Sequence, residues 1–162
     1  MGFSGHLVFG RSPRSLLEAP LFGGVGAGDD GVRVWKGRPG GWQTLELAHG
    51  IWRAERLPAL VAWTGAPACF AEVHDSRTAV VTGLDADGHR WQARLNPDGA
   101  ADLPDEIPVT AERALAWATA AGVRTSAERR HIEDVLRTRT TFAEDLFAAL
   151  LDELDFPETP FA

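Results

Sequence analysis

The chain has 162 residues, 44% of them apolar and 24% charged, and a net charge of −7. That length suits a single domain around one core, and the composition is that of a folded globular protein rather than a disordered one. The acidic balance repels phosphate backbones, so nucleic acid is an unexpected partner, and a basic protein is the expected one.

Residues 5–11 read as a first strand, broken by Ser12-Pro13-Arg14-Ser15. Leu16, Leu17, Leu21 and Phe22 form an apolar connector, and residues 23–31 are a glycine-rich loop. Residues 32–36 alternate, turn through residues 37–41 and return over residues 42–47 as a hairpin. Residues 55–64 suit a short helix, with Pro58 in its first turn, Gly65 at the C′ position and Pro67 as a stop. Three antiparallel strands follow over residues 68–75, 78–84 and 89–95, with Asp85-Ala86-Asp87-Gly88 as the second turn.

Residues 96–109 form a polar linker, the most plausible internal boundary, and residues 110–155 are helical. Thr110 is expected to cap a helix ending at Gly122, and Ser126 a second reaching Arg137. Thr141 and Glu144 spell a capping box for the third. There, Phe142, Leu146, Phe147, Leu150, Leu151 and Leu154 recur at helical spacing, so this helix is expected to dock on the sheet. Residues 156–162 read as an extended tail. The fold expected is α+β: an antiparallel sheet of about six strands with the helical C-terminal third packed on it. Trp42-Gln43 and Trp91-Gln92, each after a turn and before a helix, raise a degenerate βββα duplication.

Candidate chemistry is sparse. Glu72 and His74 stand two apart on one strand, so they share a face, and a carboxylate beside an imidazole can support acid–base work. His6 and His89 also fall on strands and could join them. His74-Asp75-Ser76 holds the residue types of a hydrolase triad, but adjacent strand residues point to opposite faces. The glycines of residues 23–31 lead into Asp29 and Asp30 and then a strand, which does not suit a phosphate loop. Nothing in the spacing requires a metal or a cofactor. Cys69, the single cysteine, lies in an apolar run and reads as a small buried hydrophobe. Six tryptophans are many for this length, and Trp35, Trp42 and Trp52, if exposed, would mark a binding surface.

No run approaches the roughly 18 apolar residues of a membrane span. Residues 1–9 lack the charged and long apolar regions of a secretory leader, so a cytoplasmic protein is expected.

The stretch from Gly65-Ala66-Pro67 to Val73, with Asp75-Ser76, Ala79-Val80-Val81, Ala116-Trp117-Ala118 and Phe142-Ala143-Glu144-Asp145-Leu146, resembles small uncharacterised proteins of high-GC Gram-positive bacteria. The resemblance covers about the last hundred residues and implies no activity. The function expected is therefore a non-catalytic interaction or regulatory module, immunity- or adaptor-like. The alternative is a small hydrolase-type enzyme using Glu72 and His74.

Overall fold

Six stretches with strand patterning pair into one antiparallel sheet, and the helices cover its two faces unequally. This description rests on a computed structural model that describes residues 2–22, 30–35, 37–96, 107–122, 128–154 and 156. The strands are β1 (Gly5–Arg11), β2 (Val32–Val34), β3 (Trp42–Ala48), β4 (Ala68–His74), β5 (Thr78–Leu84) and β6 (Arg90–Leu95), in the spatial order β2-β3-β1-β4-β5-β6. The helices are α1 (Leu57–Thr64), α2 (Ile107–Ala120), α3 (Arg129–Arg137) and α4 (Ala143–Glu153). Among the described residues, no helix is long and apolar enough to cross a membrane.

Burial along the strands shows which face is covered. In β6, Trp91, Ala93 and Leu95 are buried while Arg90, Gln92 and Arg94 are exposed, the alternation of a sheet covered on one face only. The covered face meets α2, α3 and α4, whose Trp117, Ile132, Leu136, Leu146, Phe147 and Leu150 share one core with Leu7, Phe9 and Val81. Each fully buried large side chain there contributes roughly 1.5–3 kcal/mol. On the opposite face α1 packs over β1, β4 and β5, closing a second core of Val8, Leu45, Phe70, Leu57, Leu60 and Trp52. Because α1 has only eight residues, it leaves the far end of β4 open. There Glu72 and His74 are exposed.

Local signals decide several boundaries. Gly65 takes the left-handed conformation (φ 69°) and donates its N–H to Val61 O, ending α1 where expected. Other expectations are corrected. α2 begins at Ile107, so Thr110 lies inside it rather than capping it. Ser126 lies outside the described residues, and Glu128 precedes α3.

The Thr141–Glu144 capping box does not form: Phe142 is the N-cap residue and makes no side-chain cap. The β4–β5 turn takes its place. Ser76 O accepts the Ala143 N–H at 2.7 Å, and Ser76 Oγ donates to Glu144 at 2.8 Å. A long-range partner satisfies the helix start, so the local motif is not needed.

Phe156, expected in a frayed tail, is 2% exposed and stacks edge-on against Trp42 and Phe9. Most of the glycine-rich loop (residues 23–29) and of the linker (residues 97–106) lies outside the described residues. The order βββα does recur, but the wiring differs between halves. β1 neighbours β3, whereas β5 separates β4 from β6, and α1 and α2 join cores on opposite faces.

Candidate functional site

The sheet register brings part of the expected cluster together. His6 on β1 stands directly opposite Glu72 on β4, and the Glu72 carboxylate lies 3.6 Å from His74 Nε2. These two side chains are 48% and 68% exposed on the open sheet face. His89 does not join them. It belongs to the β5–β6 turn, where its ring lies 3.1 Å from Asp85 Oδ2.

That turn is the expected Asp-Ala-Asp-Gly reversal. Asp85 Oδ1 accepts the N–H groups of Asp87 and His89, both at 2.9 Å. Burial pushes the Asp85 carboxyl up, but the His89 and Asp87 amides and the His89 ring outweigh it and hold it below the ordinary carboxylate value. Ligand atoms of Asp85, Asp87 and His89 fall within 4.8 Å of one another, the one such grouping among the described residues. The hydrogen bonds of the turn account for that convergence.

Asp75 and Ser76 are also turn residues, both left-handed, at φ 51° and 54°. They accept the N–H groups of Gly2 and Phe3, which ties the N-terminal residues to the β4–β5 hairpin. Cys69 is buried as expected, and burial raises its thiol well above the ordinary value, so it is no thiolate nucleophile.

The His6 imidazole is perturbed as well. Its residue is 8% exposed and its Nδ1 has no hydrogen-bond partner among the described residues. Burial, the largest influence, lowers the imidazole pKa below 6.5; Glu72 pulls it up, and His49 and His74 push it down. The unfolded chain therefore takes up a proton near pH 6.5 that the folded chain refuses. His6 supports full stability above about pH 6.5, and that support is lost as pH falls towards its folded pKa. Urea midpoints at pH 7.5 and 5.5 should drop less for His6→Gln than for the unaltered protein. Equal drops would show that His6 does not titrate this way.

The tryptophan surface is corrected in two of its three members. Trp42 and Trp52 are core residues, 5% and 2% exposed, and offer nothing to a partner. Trp42 stacks on Phe9 with centroids 5.0 Å apart, and Trp52 packs against Phe22 and Phe70. Trp35 is half-buried and borders a groove that the sequence did not announce.

The groove runs between the β2 edge of the sheet and the start of α4 and encloses about 560 Å³. Trp35 lies on one side, Thr44 and Glu46 of β3 at the base, and Phe142, Glu144 and Asp145 on the other side, while the Val34 side chain, opposite Leu45, stands on the α1 face of the sheet. Phe142 is 49% exposed, one of the four large apolar side chains most exposed among the described residues. Arg38 closes one end, but its charge is taken by Asp152 at 2.7 Å. What remains is a mainly polar trough with three carboxylates, Glu46, Glu144 and Asp145, against Arg33, a guanidinium with no ion pair among the described residues. The missed signal was Phe142. Its helical spacing suggested the buried stripe of α4, yet it stands one residue before the helix and outside the core.

Comparison with protein-family models, curated proteins and solved structures finds no match for this chain.

Proposed function

We propose that this protein is a non-catalytic protein-interaction module, immunity- or adaptor-like, whose α4–β2 groove holds a basic segment of a partner protein. The observation that carries the reading is the groove's composition. Half-buried Trp35 and exposed Phe142 offer apolar anchor points, and Glu46 and Asp145 supply the charge that attracts lysine or arginine. The net charge of −7 works in the same direction by speeding encounter with basic partners. A lone buried thiol suits a reducing, cytoplasmic setting.

The hydrolase alternative keeps one observation in its favour, the 3.6 Å Glu72–His74 contact. An acid–base pair on an open sheet face lacks walls to hold a substrate and exclude water, so it ranks second.

One experiment separates the two. Proteins are captured from a lysate of the producing cells with the unaltered chain, with Phe142→Glu/Asp145→Asn, and with Glu72→Ala/His74→Ala. A basic protein retained by the first and third baits but lost by the second is the expected result. Capture indifferent to the groove substitutions and abolished by the Glu72/His74 pair would overturn it.

A further inference from the structure

At the end of the sheet away from the groove, β6 has no neighbour on its outer side among the described residues. The Asp85 N–H donates to His89 O at 3.1 Å, which sets the phase of the β5–β6 ladder. Gly83 with Trp91, Val81 with Ala93 and Ala79 with Leu95 are then its hydrogen-bonded pairs. The N–H and C=O groups of Arg90, Gln92 and Arg94 therefore point away from β5, and they bond no described residue. Their side chains stand together, exposed, on the α1 face, while Trp91, Ala93 and Leu95 face the core under α2.

This edge is cationic in a chain of net charge −7. The Arg90 and Arg94 guanidiniums make no hydrogen bond or ion pair among the described residues. Elsewhere Arg38, Arg129, Arg130 and Arg137 all have carboxylate partners. A cavity of about 490 Å³ at the start of β6 touches Arg90 and also Arg113 and Ala116 of α2. Arg90 and α2 lie on opposite faces of the sheet, so a space that reaches both passes around the outside of the strand. That end of the edge is open. Asp85 borders the same space, but its charge is held by two backbone N–H groups and the His89 ring.

A second copy of the chain does not fit here. Antiparallel pairing of two such edges about Gln92 sets Arg90 against Arg94 on both sides, and like charges directly opposite each other resist pairing. An acidic strand meets the reverse situation.

We propose that β6 is a docking edge for an extended acidic segment of a partner protein, which adds as the next strand with carboxylates opposite Arg90 and Arg94. Main-chain hydrogen bonds to Arg90, Gln92 and Arg94 hold the segment, and the two ion pairs select it. The inference does not depend on the groove reading.

The probe is a capped, fluorescein-labelled peptide alternating valine with polar residues, the polar positions being aspartate, threonine and aspartate. Its carboxylates then match the spacing of Arg90 and Arg94. Fluorescence anisotropy at low ionic strength should show binding that weakens about fivefold or more when both aspartates become asparagine. Arg90→Gln/Arg94→Gln, at exposed positions, should weaken it by a similar factor, whereas Arg53→Gln, exposed and outside the sheet, should not. Methylating the peptide nitrogens that face β6 keeps both charges and removes the strand pairing, so it should abolish binding. No binding of the acidic peptide at millimolar concentration, equal binding of the asparagine peptide, undiminished binding of the methylated one, or indifference to the double arginine substitution would overturn the proposal.

Discussion

Gly83→Ala should destabilise the protein by about 2–3 kcal/mol, the upper part of the range for overpacking a filled core. Gly83 lies on β5 between Cys69 of β4 and Trp91 of β6 in the sheet register. A Cβ built on it would stand 2.1 Å from Trp91 Nε1 and 2.4 Å from Cε2, closer than atoms can approach. Trp91 cannot swing away, because it is 3% exposed and wedged against Trp117. The direction is diagnostic. Glycine weakens a strand interior, so alanine at an unobstructed strand position should stabilise.

Trp91→Ala should cost more, about 3–5 kcal/mol, through lost burial and the cavity left behind. In the double substitution the new methyl enters space the indole has vacated. Its cost should therefore fall short of the sum of the single ones by at least about 1 kcal/mol. Urea unfolding followed by circular dichroism measures all three. A Gly83→Ala change within about 0.5 kcal/mol of the unaltered protein would mean that Trp91 does not lie over Gly83.

Asp152→Ala should be more damaging than Arg38→Met, although Asp152 is the more exposed partner. The Arg38 side chain is 4% exposed, while that of Asp152 is 52% exposed. Besides the carboxylate, Arg38 also donates to Phe156 O. Removing Asp152 leaves a buried guanidinium with only a carbonyl to balance it, for a loss of about 3 kcal/mol. Arg38→Met removes the buried charge with its partner's need for it, since Asp152 can turn to water. It leaves chiefly the Phe156 carbonyl unpaired, at about 1–3 kcal/mol. Both changes loosen Phe156 from Phe9 and Trp42, so near-ultraviolet circular dichroism should weaken in each. If Arg38→Met proved the costlier of the two, the charge would not be buried as described.

The two sites differ in how far the sequence announced them. Glu72 and His74 were readable as a pair because two residues apart on a strand always share a face. His6 became their neighbour, and His89 did not, through the pairing of β1 with β4. The tryptophan surface failed at Trp42 and Trp52 because composition counts aromatic residues without saying which face a helix will cover. Phe142 escaped notice for the converse reason: its spacing matched a buried stripe, but α4 starts one residue later.

By itself, the sequence determined the local elements. Period-two alternation marked β6, helical spacing marked α4, and a glycine able to take positive φ ended α1. Each is a property of neighbouring residues and of the backbone they allow. Only the tertiary structure decided the strand order, the faces that α1 leaves open, and the burial of Arg38 against α4. Those depend on contacts between residues far apart in the chain. They are fixed by how faces fit and bury one another, and no local pattern carries that information.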